Sequence, residues 1–121
     1  MKPNLMFLIV LCFLSCTSDK QTKISINNST NTIIDSLKLT YGTEKESKTY
    51  RAIHIDSKEK RHLILDMNLK GVDGTYFLEI FQGGNKLEKG FGYYSNAVFK
   101  NYNFNLKIEK DTLLITKNEM N

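Results

Sequence analysis

The fold of this 121-residue chain is indicated most clearly by the segment Val98-Phe99-Lys100-Asn101-Tyr102-Asn103-Phe104-Asn105-Leu106-Lys107-Ile108-Glu109. Its even-numbered positions are mostly apolar, and they are Val98, Lys100, Tyr102, Phe104, Leu106 and Ile108. Its odd-numbered positions are polar after the first, and they are Phe99, Asn101, Asn103, Asn105, Lys107 and Glu109. Successive side chains of a β-strand point to opposite faces. The segment therefore predicts a strand with one face in a core and the other in solvent.

The same period of two recurs through most of the chain, so further strands are predicted before and after this segment. Their core residues are predicted to be Ile24 and Ile26; Ile33, Leu37, Leu39 and Tyr41; Ile53 and Ile55; Leu63, Leu65, Met67 and Leu69; Tyr76, Leu78 and Ile80; and Phe91 with Tyr93. A last strand is predicted over residues 112–116, and turn-forming residues separate the strands. The pattern indicates an all-β fold, a single antiparallel sandwich of seven to eight strands, immunoglobulin-like or Greek-key in type. A closed barrel is the alternative.

The N-terminus has the composition of an export signal. Lys2 precedes an uninterrupted apolar run from Leu5 to Leu14, which is followed by Ser15 and Cys16. As a helix, such a run rises only about 15 Å, half of the roughly 30 Å hydrocarbon core of a membrane. It lacks the polar face of a core helix. We therefore interpret it as the apolar region of a cleaved signal peptide.

The residues Phe13-Leu14-Ser15-Cys16 resemble the cleavage motif of bacterial lipoprotein precursors that signal peptidase II processes. The resemblance implies that Cys16 becomes the lipid-modified first residue of the mature chain and that membrane lipid is a partner. This family usually has leucine where Phe13 stands, so ordinary secretion is the alternative. Residues 17–19 lack the aspartate directly after the cysteine that retains such proteins in the inner membrane of enteric bacteria. Outer-membrane residence in the cell envelope is therefore favoured.

The mature chain also resembles small exported sandwich lipoproteins of bacteria, through its Ile-Asn-Asn-Ser opening and a late Gly-Tyr-Tyr. We divide the sequence into a signal peptide (1–15), a lipidated cysteine with its tether (16–22), a β-sandwich domain (23–117) and a polar tail (118–121). The 106 residues that follow the signal peptide suit one domain. Both cysteines, Cys12 and Cys16, lie before the domain, so thiol chemistry and disulfides are not expected in it.

Residues with catalytic or ligating chemistry are sparse. His54 with Asp56, and His62 with Asp66, have the residue types of a mixed zinc site. Both pairs fall on the polar parity of their strands, so we predict solvent-facing side chains and no metal site. No Gly-x-Ser-x-Gly occurs, and the carboxylates are scattered among lysines. We therefore expect no enzyme and no cofactor. The net charge of +4 is spread along the chain, and export would separate it from nucleic acid, so no nucleic-acid partner is expected.

Aromatic residues concentrate between positions 91 and 104, and parity places Tyr94 and Phe99 opposite their aromatic neighbours. Exposed rings on a rigid sheet stack on sugars or anchor a protein partner, so we predict a contact surface near these two residues. Packing beneath loops or at the sandwich edge is the alternative.

Two serine or threonine residues stand in a context that resembles the O-glycosylation acceptor of Bacteroidetes-like bacteria. They are Ser36 in Asp35-Ser36-Leu37 and Thr112 in Asp111-Thr112-Leu113. Taken together, the sequence predicts a membrane-anchored, non-enzymatic binding module for a protein, such as a toxin, or for a glycan. A structural surface lipoprotein without a discrete ligand is the alternative.

Overall fold

A computed structural model describes residues 20–95 and 101–119. These residues form eight strands, namely β1 (Gln21–Asn28), β2 (Ile34–Thr43), β3 (Ser47–Ile55), β4 (Lys60–Asp66), β5 (Asp73–Gln82), β6 (Asn85–Ser95), β7 (Tyr102–Glu109) and β8 (Thr112–Glu119). The all-β prediction is confirmed. The first strand begins two residues before position 23, and the last ends two residues beyond position 117. Within the described ranges, no helix has the length and apolar character needed to span a membrane.

The strands form two four-stranded sheets that enclose one core. The first sheet has the order β4-β1-β7-β8, and the second has the order β3-β2-β5-β6. Five of the six neighbouring strand pairs are antiparallel, as predicted for a sandwich, while β1 and β7 are parallel. The chain changes sheets after β1, β3, β4 and β6, and it makes hairpins between β2 and β3, β5 and β6, and β7 and β8.

The core lies between the sheets and centres on Tyr76 of β5. Its ring is within 5.2–6.5 Å, centroid to centroid, of the rings of Tyr41, Phe91, Tyr94 and Phe104. Phe104 belongs to the first sheet, so these contacts join the two layers. The alternation predicted for β7 is confirmed, because Phe104, Leu106 and Ile108 are buried and Asn105 and Lys107 are exposed.

The predicted alternation is wrong at the paired ends of β2 and β3. Ile34 is buried instead of Ile33, and in β3 Ile55 is buried while Ile53 is 73% exposed. His54 has a φ of 59°, and no pair forms between it and the facing strand. Ile53 points outward because it follows the buried Ala52 in regular alternation. The left-handed His54 then reverses the parity of the strand, which turns Ile55 inward. Positive φ is uncommon for a residue with a side chain, and the sequence pattern does not reveal it.

A β-bulge has the same effect in β6. Phe91 pairs with Tyr76 and Tyr93 pairs with Thr75, so Gly92 is an extra residue between them. Its φ of 69° is the left-handed conformation typical of a bulge glycine. Tyr93, predicted to share the core face with Phe91, is therefore exposed.

Candidate functional site

The outer face of the second sheet displays four large apolar side chains. We call this surface the aromatic face; it consists of Ile53 on β3, Phe77 and Phe81 on β5, and Tyr93 on β6. Their exposed fractions lie between 40% and 73%. They alternate with buried residues of the same strands, so their outward direction is set by the strand geometry. The two phenylalanines are four residues apart, which separates them by about 13 Å along β5.

The backbone beneath the two phenylalanines is held on both sides. β5 is hydrogen-bonded to β2 and to β6, so it is an interior strand. Phe77 pairs with Thr40 on one side and with Gly90 on the other. A Cβ built on Gly90 would lie 3.8 Å from the Phe77 ring, in ordinary contact. Because glycine has no side chain there, that flank of the Phe77 ring stays open to a ligand.

Charged side chains occupy the space between the rings. Glu79, between the two phenylalanines, forms ion pairs with the ammonium groups of Lys38 at 3.7 Å and Lys86 at 3.2 Å. Lys86 also lies 5.5 Å from the centroid of the Phe81 ring. Hydrogen bonds to Glu79 and Glu88 raise the pKa of Lys86. The centre of the face therefore combines fixed charges with aromatic surface.

Tyr93 carries its polar group at the margin of the face. Its hydroxyl donates to the carboxylate of Asp73 across the β5–β6 pair, and this hydrogen bond raises the pKa of Tyr93. The ring is thereby oriented, with its hydroxyl engaged and its faces exposed. Such a ring can stack on an apolar surface while neighbouring polar groups exchange hydrogen bonds with the same ligand.

Of the two residues predicted for the contact surface, Tyr94 is buried. It is 3% exposed, and its ring lies over Gly74 and against Tyr76. The prediction of an exposed Tyr94 is wrong because the bulge at Gly92 reverses the parity and exposes Tyr93 instead. Phe99 lies outside the described residues, as does the predicted lipidation site, Cys16.

The two predicted glycosylation sites differ in setting. Ser36 is half-buried within β2 and lies in the row of the aromatic face between Ile53 and Phe81. The preceding Asp35 accepts a hydrogen bond from the Gly83 amide at 3.1 Å, which gives that aspartate a structural role. Thr112 is exposed at the start of β8 and follows Asp111, which has a φ of 60° in the hairpin turn.

The histidines are exposed, as predicted. His54 lies 3.6 Å from Asp56, and His62 bonds instead to the Ser25 hydroxyl at 2.9 Å. Asp66 is engaged by Asn68 and by Lys48, away from His62. In the part of the chain that the structure describes, no three His, Cys, Asp or Glu residues converge as metal ligands would.

The outer face of the first sheet is mostly polar, with Ile64 and Leu114 as exposed apolar side chains near its two edges. Its cross-strand rows include His62, Ser25, Asn105 and Thr116, and these residues border a shallow groove of about 350 Å³. The two outer faces of the sandwich therefore differ, since large aromatic rings are displayed on one and hydrogen-bonding groups dominate the other.

A buried asparagine organises the loops at the end of the sandwich opposite to Gln21. The Asn28 amide donates to the carbonyls of Thr32, Ile55 and Asp56 at 2.9–3.1 Å, and its oxygen accepts from Thr30. This network joins the β1–β2 and β3–β4 connections. A groove of about 390 Å³ lies beside it, lined mainly by turn residues.

Sequence reasoning missed Phe77 and Phe81. The sequence does contain a sign of them: Tyr76, Leu78 and Ile80 define the buried parity of β5, so two phenylalanines on the opposite parity must point outward. A pair of aromatic residues on the polar face of a strand indicates a surface that departs from the usual alternation.

Comparisons with known proteins give the following results. No protein-family model matches the chain, and no curated protein matches it. Among solved structures, it is similar to "a putative cell adhesion protein from Bacteroides ovatus", with 10% identity and a TM-score of 0.41. The similarity covers 84% of this chain and 44% of that protein, so the chain spans less than half of its length.

Proposed function

We propose that this protein is a non-enzymatic binding module of the bacterial cell envelope and that the aromatic face contacts its ligand. The observation that carries the proposal is the presence of Phe77, Phe81 and Tyr93 on one outer face of a hydrogen-bonded sheet. Exposing such rings to water is unfavourable by about 25 cal/mol per Å² of apolar area. A ligand that covers them recovers this free energy.

A glycan is the ligand class that best fits the aromatic face. A sugar ring has apolar C–H faces and a rim of hydroxyl groups, so it requires aromatic surface and charged hydrogen-bonding partners side by side. Phe77 and Phe81 supply the aromatic surface. Glu79, with Lys38 and Lys86, supplies the charged hydrogen-bonding partners. The centres of protein–protein interfaces are instead depleted of charged residues. A protein partner, such as a toxin, is therefore the second ligand class.

Binding to a printed panel of bacterial and host oligosaccharides tests this proposal. We expect the chain to retain particular oligosaccharides and the double variant F77A/F81A to lose them. The matched control is I64A, which removes an exposed apolar side chain from the outer face of the first sheet. Absence of binding to every oligosaccharide would refute the glycan ligand. Equal binding by F77A/F81A would refute the role of the aromatic face.

We further propose that the module is held on the membrane through a lipid on Cys16, with the outer membrane as its site. The support is the sequence Phe13-Leu14-Ser15-Cys16 after the apolar run. Mass spectrometry of the mature N-terminus is the test, with C16S as the control. A diacylglycerol-modified Cys16 is the expected result, and a mature chain that begins elsewhere would contradict the anchor.

A structural surface lipoprotein without a discrete ligand is the second candidate function. The outer face of the first sheet favours it, because that face is mostly polar apart from Ile64 and Leu114, and a mostly polar surface needs no partner to cover it. The aromatic face distinguishes the two candidate functions, since a structural surface lipoprotein without a ligand gains nothing from exposed phenylalanines on an interior strand.

A further inference from the structure

The four edge strands of the sandwich differ in how they are protected from pairing with another strand. Natural edge strands avoid such pairing through charged residues, proline or bulges. β3 contains Lys48, Arg51 and the left-handed His54; β4 begins with Lys60 and Arg61; β6 contains Lys86, Lys89 and the bulge at Gly92. Three of the four edges therefore carry these devices.

β8 is the least protected of the four, because its charged residues, Lys117 and Glu119, come only after its first five residues. Its first five residues are Thr112-Leu113-Leu114-Ile115-Thr116, with neither charge nor proline, and its register against β7 is regular. Leu114 is 46% exposed on the outer face. β8 ends the order of its sheet, so within the described residues no strand pairs with its outer edge. Its backbone N–H and C=O groups on that side are available to another strand.

We propose that β8 pairs antiparallel with β8 of a second copy of this chain, which joins the two first sheets into one. Antiparallel pairing of identical strands about a two-fold axis is self-complementary. When Leu114 lies on the axis, Leu113 of each copy faces Ile115 of the other. The same register brings Lys117 opposite Asp111 at both ends of the seam. The charges of these two residues are complementary, and the Lys117 ammonium also lies 3.9 Å from the centroid of the Tyr102 ring.

The hairpin geometry agrees with this register. Residues 110 and 111 form a two-residue turn, so Glu109 and Thr112 are the hydrogen-bonded pair that closes it. Hydrogen bonding then alternates along an antiparallel pair. Leu113 and Ile115 direct their backbone groups to the free edge, as the proposed pairing requires, while the two Leu114 side chains meet as a non-hydrogen-bonded pair. The Cβ atoms of such a pair are about 4.5 Å apart, close to the spacing that a disulfide spans.

Disulfide trapping tests the seam. Cys12 and Cys16 are the cysteines of the sequence, so the full chain with C12A and C16A lacks thiols. We expect L114C in this background to form a disulfide-linked dimer at least about tenfold faster than I64C, because the Leu114 pair is held at the short cross-strand spacing. Ile64 is the matched control, since it is exposed on the outer face of β4, at the opposite edge of the same sheet. Equal rates would overturn the proposal.

Analytical ultracentrifugation of the full chain provides a second measurement. L114K places like charges opposite each other on the axis and should weaken association about tenfold, whereas I64K should leave it unchanged. Exchanging the charges at both ends, in D111K/K117D, should retain association, while D111K alone should weaken it. A chain that is monomeric at every concentration would overturn the proposal. Faster trapping of I115C than of L114C would overturn the register.

Discussion

Removing the hydroxyl of Tyr76 tests directly how much one hydrogen bond between the two sheets contributes to stability. The Tyr76 hydroxyl lies 2.7 Å from the Thr22 hydroxyl of β1, and the two residues are 1% and 0% exposed. It also contacts the sulfur of Met67 at 3.9 Å. Y76F keeps the ring and its aromatic contacts but leaves the Thr22 hydroxyl buried without this partner. An unsatisfied buried polar group costs about 1–3 kcal/mol. We expect Y76F to lose that amount of unfolding free energy.

Urea unfolding followed by circular dichroism measures this loss, and a double-mutant cycle isolates the hydrogen bond. T22V removes the other hydroxyl at nearly constant shape. Since the bond is already absent in either single variant, Y76F/T22V should be more stable than the sum of the single effects predicts, by about 1 kcal/mol. Y93F, which alters an exposed tyrosine, should change stability by less than about 0.5 kcal/mol. Additive effects, or a Y76F variant as stable as Y93F, would refute the reasoning.

Three further predictions concern the bulge, the buried amide and alkaline pH. G92A should destabilise the domain by about 2–4 kcal/mol in urea unfolding, because its Cβ would lie 2.9 Å from the Tyr76 ring at a φ of 69°. G84A, with a φ of 80° and open space around it, should lose only the unfolding free energy that the strained backbone costs. Equal losses in the two variants would contradict the packing argument. N28A should lower the thermal midpoint well below that of the exposed control N105A, since several backbone groups would lose their buried partner, and equal midpoints would exclude this role. Burial raises the pKa of Tyr94 to about 12, so the folded state holds this proton more tightly than the unfolded state. The free energy of unfolding should therefore fall above about pH 10, and Y94F should reduce the slope of unfolding free energy against pH. An unchanged slope would contradict the role of Tyr94.

The strands and most of the core could be predicted from the sequence because an antiparallel strand records its burial in a period of two. β7 shows this directly, since each apolar residue from Phe104 to Ile108 is buried as its parity requires. The pairing of the strands could not be predicted in the same way. The parallel contact of β1 with β7 joins residues that are about eighty positions apart, such as Ile24 and Phe104. Periodicity within one strand contains no information about its distant neighbour.

The predicted contact surface failed at Tyr94 for a local reason. Gly90-Phe91-Gly92 offers two glycines at which a bulge could form, and parity read from the sequence assumes none. Only the packing selects Gly92: a Cβ there would lie 3.0 Å from the Phe104 ring, whereas a Cβ at Gly90 would make only ordinary contacts at 3.8 Å, one of them with the Phe77 ring. The choice therefore depends on a residue in the other sheet. A similar local deviation occurs at His54, whose left-handed backbone brings Ile55 into the core.

The bulge links the core to the aromatic face. One extra residue in β6 allows Phe91 and Tyr94, three positions apart, both to pack against Tyr76. The same residue turns Tyr93 outward, where it joins the phenylalanines of β5. A regular β6 with Phe91 inside would place Tyr93 inside and Tyr94 outside. The position of Tyr93 on the aromatic face is thus a consequence of core packing, while nothing in the core requires phenylalanine at 77 or 81. Those two residues are therefore the ones whose exposure calls for a functional explanation.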